Sequence, residues 1–428
     1  MPEAWLRPYH YFLARLAAVW YGNPSQKLIV IGVTGTNGKT TTSYLIAKAL
    51  EASGFQTGCT TTALMKVGAR EWINRTKMTM PGRFFIQRML RDMVRAGCRY
   101  AIIETSSQGM MQFRHVGIEY DLAVFTNLTP EHLEAHGGFA PYKEAKGRLF
   151  KTVATSKIKT VDGQAVPKML ILNRDDAYAM FYAEQAPKIP CLWYGLDPVS
   201  AEVAPKNVTY QALETHFTFE GVPFVSHLAG RHNLANNLAA LAVTQALGVS
   251  LKAVAKNMDA VLCVPGRLER VDVGQPWTVL IDYAYEPEAL AKCFEAIRLT
   301  PHRRIIHVLG SCGGGRDRAR RPLLGAFSAI HADVVIVTNE DPYDDDPHSI
   351  IEAIAEGAQK AGAKTGENLF MIEDREEAIT MAMRLAGPQD LVLLTGKGCE
   401  PWICVADGKK EPWDERAAAE RAIRSVRG

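Results

Sequence analysis

No apolar run in this 428-residue chain is long and unbroken enough to cross a bilayer, so a membrane-spanning helix is not expected. Neither sign of charge dominates: 49 Lys and Arg against 46 Asp and Glu leave a net charge of +3 with no basic stripe. That balance removes nucleic acid as an expected partner. C-x-x-C pairs are missing. The eight cysteines, at positions 59, 98, 191, 263, 293, 312, 399 and 404, are scattered, and no secretory signal opens the sequence. A reducing, cytoplasmic setting fits that pattern, with most thiols acting as small buried residues. Internal repeats and low-complexity tracts are also lacking. What remains is the composition of a folded globular protein, 47% hydrophobic, in a length that favours two domains over one.

The aromatic-rich segment at residues 5–21, WLRPYHYFLARLAAVWY, reads as a helix packed on the body of the protein. A helix lying in a membrane interface would carry a polar face rich in Lys and Arg, whereas Arg7 and Arg15 are the only two here.

Residues 28–42, LIVIGVTGTNGKTTT, carry the strongest chemical signal. Positions 29–33 are short, apolar and β-branched, as a strand buried on both faces should be, and positions 43–51 read as a helix. The Gly-rich turn between them sits at a helix N-terminus, where unpaired N–H groups and the helix dipole favour phosphate oxygens. Gly35 and Gly38 let the backbone approach closely, with Thr36, Asn37 and Thr41 completing the cradle. Lys39 reaches the terminal phosphates, and Thr40 offers a hydroxyl to Mg²⁺. The spacing departs from G-x-x-x-x-G-K-[ST], because Val33 stands six before Lys39 and the glycines are Gly32 and Gly35. That departure points to a subfamily of phosphate loops.

From residue 28 to about 263, strand-like runs (100–103, 122–125, 169–172, 191–193) alternate with helical ones (84–96, 142–151, 233–247), the pattern of a mainly parallel sheet wrapped by helices. Residues 199–228 look like a β-rich insertion at its edge. A second α/β series follows, with strands at 278–282, 304–309, 334–338 and 391–395 and helices at 286–297 and 348–361. The expected organisation is an N-terminal helical extension (1–26), a P-loop central domain with a mainly parallel sheet (27–264) and a C-terminal Rossmann-like α/β domain (265–428). Ligands of such folds bind beyond the carboxyl ends of the strands, so the reactive groups are expected there and between the domains.

Residues 101–107, AIIETSS, form a hydrophobic strand that delivers Glu104 at its carboxyl end, where a hard oxygen donor suits Mg²⁺. The next strand leads into TNLTPEHLEAHG. His132 and His136, four apart, resemble a zinc pair, but Gly137 and Gly138 stop a helix and no third soft ligand is near.

Taken in order, GVTGTNGKTTT, ETSS, TNLTPEHLEAHG, YKEAK at 142–146, GRHNLAN at 230–236, PGR at 265–267, DYA at 282–284 and TGKG at 395–398 resemble the Mur ligases from about residue 28 to the C-terminus. Within that family the set is most similar to the branch that adds the third residue of the peptidoglycan stem peptide. The resemblance implies an ATP-dependent amide ligase. A carboxylate of a peptidyl acceptor attacks the γ-phosphate of ATP, an acyl phosphate forms, and the amine of an amino acid displaces phosphate. It also implies two Mg²⁺ sites, with Thr40 and Glu104 at the first and His132 at the second, and carbamylation of Lys146 to orient the second. Asn233 and Asn236 would meet adenine, although asparagines at a helix start also serve as caps. Arg267 and Asp282 would come from the domain that closes over ATP, together with the loop at residues 313–317. Thr79, Ser107 and Arg114 would hold the acceptor.

The pattern also breaks. Only about 27 residues precede the phosphate loop, where family members carry a domain for the UDP-sugar. The acceptor is therefore expected to be held by the two domains present, to lack UDP, or to be gripped by a partner. The Asp-Asn-Pro-Arg motif that reads diaminopimelate becomes Asp341-Pro342-Tyr343, and Tyr343 has no bidentate cationic fork for a carboxylate. The acidic run of Asp341, Asp344, Asp345 and Asp346 suits a cationic side chain such as lysine, or simply a solvated loop. Tyr285 and Cys399 stand where the family has His, and Gln108 follows Ser-Ser where His is usual. Two rival readings are a folylpolyglutamate synthase-like ligase and a nucleotide-binding partner subunit. The ETSS segment weighs against the first, and the intact metal and lysine positions against the second.

Overall fold

The computed structural model of the protein describes residues 3–130, 136–211, 213–315 and 318–427. His132, Arg316 and Asp317 lie outside the described residues. Two compact units form. One comprises Met1–Tyr210, Glu214–His227 and Arg231–Leu262, and the other Gln211–Leu213, Leu228–Gly230 and Cys263–Gly428.

In the first unit, strand Ile29–Thr34 is buried at every position, because it is hydrogen-bonded on both edges and covered on both faces. It lies inside an eight-stranded sheet in the order Cys191–Tyr194, Met169–Asn173, Leu122–Phe125, Ile29–Thr34, Cys98–Glu104, Gln56–Thr60, Leu64–Val67, Arg70–Ile73. The first six strands run parallel, and the hairpin of the last two is antiparallel. Register matters for chemistry: Val33 pairs with Glu104, and Thr34 with Phe125. The phosphate loop, Glu104 and residues 126–127 therefore leave the sheet side by side at one carboxyl edge. At the other end of the central strand, buried Asp121 accepts from the Val30 N–H and is paired with Lys159 at 2.5 Å and Lys168 at 2.9 Å.

Helix Phe139–Thr155 is longer than its sequence pattern announced, and it seats Leu149 and Phe150 in the core beneath the sheet. The expected β-rich insertion is a three-stranded antiparallel sheet, Lys206–Tyr210, Thr215–Phe219 and Val222–Ser226, with Phe217 and Phe224 stacked at 5.2 Å. Helix Glu3–Trp20 packs on helix Arg83–Arg95, burying Ala14, Ala17 and Ala18. Its opposite face leaves Tyr9, Tyr11, Phe12, Leu16, Val19 and Trp20 exposed, so the expected packing holds for one face only.

The second unit has a six-stranded sheet in the order Glu269–Val271, Thr278–Ile281, Leu391–Leu394, Ile305–Leu309, Val334–Val337, Leu369–Met371, parallel except for the first strand. Helices flank it, and two apolar clusters form its core. A fully buried ion pair, Arg375 with Glu415 at 2.6 Å, ties the C-terminal helix Glu415–Arg427 to helix Arg375–Leu385. Removing one partner of such a pair leaves an uncompensated buried charge, typically at a cost of about 3–5 kcal/mol.

Among the described residues, no helix is long and apolar enough to cross a membrane.

Candidate functional site

The turn from Gly35 to Gly38 is held open by backbone that a larger residue cannot adopt. Gly35 has φ +150°, and a Cβ there would lie 1.9 Å from Thr126 Oγ1; Gly38 has φ +81°, and its Cβ would lie 2.5 Å from Asn236 Oδ1. Segment 126–129 braces the turn. Thr36 N–H donates to the Asn127 carbonyl at 2.7 Å, Asn37 N–H to Asn127 Oδ1 at 2.9 Å, and Thr126 Oγ1 to the Asn37 carbonyl at 2.7 Å. Helix Lys39–Leu50 begins at once, so its unpaired N–H groups face the turn. Lys39 Nζ donates to the Thr36 carbonyl at 2.6 Å, which keeps the ammonium over the loop.

Glu104 is 1% exposed. Its Oε2 accepts from Thr40 Oγ1 at 2.9 Å and Thr62 N–H at 2.7 Å, and its Oε1 from Thr62 Oγ1 at 3.0 Å. Thr62 in turn meets Thr79 at 2.9 Å, hydroxyl to hydroxyl. Neutral donors alone are a poor counterpart for a buried carboxylate, and a hard divalent cation resolves that imbalance. Among the described residues no three His, Cys, Asp or Glu side chains gather as a metal cage. One carboxylate, one hydroxyl and an adjoining phosphate loop are instead the donor set Mg²⁺ takes, so Thr40 and Glu104 fit that ion.

Lys146 is 2% exposed, within helix Phe139–Thr155. Its Nζ donates to the Gly35 carbonyl at 2.7 Å and stands 4.3 Å from the centre of the Tyr142 ring. The Tyr142 hydroxyl meets Thr36 Oγ1 at 3.1 Å, and His136 Nε2 meets Ser107 Oγ at 3.1 Å, its ring 5.0 Å from that of Tyr142. Lys146 and Ser107 are thereby linked through aromatic rings to the phosphate loop. Asn236 projects from helix Arg231–Ala246 to accept from Thr42 Oγ1 at 3.0 Å, and its amide donates to Asn233 Oδ1 at 3.1 Å. Asn236 therefore abuts the phosphate loop rather than capping its own helix.

In the second unit, Asp282 accepts from the N–H groups of Leu268 at 2.8 Å and Ala284 at 2.7 Å; burial raises its pKa, and Arg267 opposes that rise. The Arg267 guanidinium lies over the Tyr283 ring at 4.6 Å. Lys397, fully buried, donates to Asp341 at 3.0 Å, Glu400 at 2.8 Å and the Trp402 carbonyl at 2.8 Å. The acidic run is largely engaged from within. Asp341 also accepts from Cys404 N–H, Asp345 pairs with Arg321 at 3.1 Å, Asp344 accepts from Asp407 N–H, and Asp346 caps helix Pro347–Lys360. Tyr343 sits in the left-handed region at φ 53°, against Gly314. Cys399 is half-buried, and desolvation pushes its thiol up to about 12, so it does not supply the proton chemistry of a histidine at neutral pH.

Sequence reasoning overlooked Thr62, Asn127 and Tyr142 as site residues. The last two lay inside motifs already singled out. Thr62 gave no signal, because its role depends on Gln56–Thr60 pairing beside Cys98–Glu104.

Comparison with known proteins adds an independent line. Residues 33–244 match the Mur ligase middle domain, and residues 266–398 match the Mur ligase, glutamate ligase domain. A UDP-N-acetylmuramyl-tripeptide synthetase of Roseiflexus sp. (strain RS-1) is 40% identical over 96% of this chain and 81% of its own length. A solved UDP-N-acetylmuramoyl-L-alanyl-D-glutamate--2,6-diaminopimelate ligase superposes with a TM-score of 0.62 at 28% identity, covering 94% of this chain and 79% of that one. The folylpolyglutamate synthase of Mycobacterium tuberculosis superposes at 0.68 with 18% identity, covering 90% of this chain and 92% of that one; at that identity the likeness is one of fold.

Proposed function

The chain belongs to the Mur ligase family, the ATP-dependent, ADP-forming amide ligases, and on that premise we propose that it adds the third residue of the peptidoglycan stem peptide in the cytoplasm. The single observation that carries the reading is Glu104, buried with Thr40 beside the phosphate loop. Mg²⁺ held there by Thr40 and Glu104 would neutralise phosphate charge, so that an anionic carboxylate can approach the γ-phosphate.

The loop N–H groups and Lys39 hold the triphosphate. A carboxylate oxygen of the acceptor forms a bond to the γ-phosphorus while the bond to the β,γ-bridging oxygen breaks, releasing ADP. The amino-acid nitrogen then bonds to the acyl carbon, the carbon–oxygen bond to phosphate breaks, and the amine's excess proton leaves to solvent. By resemblance, Ser107 and Thr79 would orient the acceptor, a role that their hydrogen bonds to His136 and Thr62 support. Asn236 against Gly38 supports an adenine contact beside the loop; Arg267 and Asp282 are assigned to the nucleotide, and Asp341 and Tyr343 to the amino acid, by resemblance.

A second Mg²⁺ site at His132 and carbamylation of Lys146 belong to the same reading. Burial of Lys146 next to the loop supports the latter, since a carbamate would turn a buried cation into an oxygen donor while keeping an N–H for the Gly35 carbonyl.

The decisive measurement is phosphate release from ATP and Mg²⁺ in the presence of lysine, ornithine or diaminopimelate, with muramoyl-dipeptide acceptors offered with and without UDP. Release that ignores every acceptor and amino acid would sink the ligase reading. Turnover that requires a second polypeptide would identify a partner that completes acceptor binding. Activity with a folyl acceptor alone would favour the folylpolyglutamate alternative, for which the fold likeness speaks. Lys146→Ala should abolish turnover without rescue by bicarbonate, and full activity in that variant would end the carbamate assignment.

A further inference from the structure

His307 is fully buried and takes no part in the chemistry set out above. It lies on strand Ile305–Leu309, inside the sheet of the second unit, where its strand neighbours are apolar. Its Nδ1 meets Ser328 Oγ at 3.0 Å, on helix Arg320–His331, and its Nε2 meets Thr395 Oγ1 at 2.9 Å, just past the adjoining strand Leu391–Leu394. The neighbours fix the direction of both bonds. Ser328 Oγ donates to the Leu324 carbonyl at 2.8 Å, so it accepts from His307, and Nδ1 carries the ring proton. Nε2 is then a bare acceptor for the Thr395 hydroxyl, whose other acceptor, the Val308 carbonyl, is more distant at 3.4 Å. That arrangement needs a neutral ring, and burial, then Arg375, push His307 down to about 3.

Thr395 is held at every polar atom. Besides the bond to His307, its N–H donates to the Val308 carbonyl at 2.9 Å, and its carbonyl accepts from Arg375 Nη2 at 2.7 Å. The loop that follows has no slack: a Cβ on Gly396 would lie 2.3 Å from Glu340 Oε2, and one on Gly398, at φ +50°, 2.9 Å from the Cβ of Tyr283. Lys397, between them, reaches Asp341. Residues 395–400 are thus wedged between the segments that carry Asp282 and Asp341. At the other end of the relay, the first turn of helix Arg320–His331 braces the neighbouring loops. Arg320 pairs with Glu286, and Arg321 donates to the Cys312 carbonyl at 3.2 Å and to Asp345 at 3.1 Å. Of the side chains on strand Ile305–Leu309, His307 bonds to both the helix and the loop.

We propose that His307 is a positioning residue: through Ser328 and Thr395 it fixes helix Arg320–His331 against the loop at residues 395–400, and so places Lys397 and Asp341 for the incoming amino acid. The choice of the amino acid as the substrate that feels the coupling rests on the ligase reading. The relay itself does not. An aliphatic side chain would fill the same volume in this apolar strand, so what the imidazole adds is one donated and one accepted bond, each satisfied inside the core.

Ser328→Ala breaks the relay at its far end, away from the residues assigned to substrates, and His307→Leu removes it. Steady-state kinetics on the full chain use whichever of lysine, ornithine or diaminopimelate supports turnover, and hydrogen exchange is followed in peptides spanning residues 395–404. Both variants should raise KM for the amino acid on the order of tenfold, leave KM for ATP and kcat within a few-fold, and speed exchange in those peptides. His307→Gln, whose amide can both donate and accept, should recover part of the KM, and the His307→Leu/Ser328→Ala double variant should be no worse than His307→Leu alone. An unchanged KM for the amino acid, or a fall in kcat with both KM values unchanged, overturns the proposal; should His307→Leu fail to fold, Ser328→Ala decides. If no amino acid supports turnover, the ligase reading fails and exchange alone judges the relay. Faster exchange at 395–404 in Ser328→Ala then upholds it, and unchanged exchange overturns it.

Discussion

Glu104 concentrates three donors from two residues, Thr40 and Thr62, on one buried carboxylate, and the three residues come from different stretches of sequence logic. Thr40 belongs to a recognisable motif, Glu104 ends a hydrophobic strand, and Thr62 is an ordinary residue of a hairpin. Glu104→Gln keeps the shape and removes the charge. It should therefore leave folding intact while lowering turnover on the order of 10²–10³-fold, the scale expected when one electrostatic contact at a phosphoryl centre is lost. Steady-state kinetics at saturating Mg²⁺ test this, and a variant within a few-fold of wild type would remove Glu104 from the metal site. The thiols give a second residue-scale test. Cys263 is exposed, whereas Cys399 is half-buried with its pKa pushed up to about 12 by desolvation. Iodoacetamide at pH 8 should label Cys263 first and spare Cys399, as read by peptide mass spectrometry. Rapid modification of Cys399 would contradict its raised pKa.

At the scale of elements, the phosphate loop works because a strand, a turn and a helix are bracketed by the segment leaving the neighbouring strand. Gly35→Ala combines a backbone angle of φ +150° with a Cβ 1.9 Å from Thr126 Oγ1. The variant should lose roughly 2 kcal/mol or more of stability and most nucleotide affinity, because relieving the clash displaces the bracket that shapes the loop. Fluorescent-nucleotide titration and urea unfolding check both parts. The strands and helices around this loop were legible in the sequence, since buried parallel strands read as short β-branched runs. The hairpin Leu64–Val67 and Arg70–Ile73 was not, and neither was the short strand Leu369–Met371. Strands of three or four residues carry too little alternation to stand out from loops. Acidic residues 344–346 read equally well as substrate bait or solvated loop, and their partners Asp407 N–H and Arg321 lie 63 and 24 residues away.

Across the whole molecule, two histidines, one in each unit, are driven well below the ordinary histidine range. His115 is pushed down to about 4 by burial and Arg148, and His307, clamped between Ser328 and Thr395, to about 3 by burial and Arg375. In the unfolded chain both titrate near 6.5, so between there and the folded values the unfolded state binds more protons and stability falls as pH drops. The window runs from about 6.5 down to 4 for His115 and to 3 for His307, with a slope near 1.4 kcal/mol per pH unit for each. Urea midpoints at pH 7.5, 6 and 5 should decline in step, and His307→Gln should flatten the decline for its unit. Constant midpoints down to pH 5 would contradict the burial. Composition, motif order and strand periodicity determined on their own the two α/β series, the phosphate loop and the ligase family, because those depend on local pattern and spacing. Only the tertiary structure decided which carboxylates are already spent on internal partners and which one meets the phosphate loop. Ion pairing is a contact between residues far apart in sequence, and nothing in the order of Arg375 and Glu415 announces that they share one buried pair.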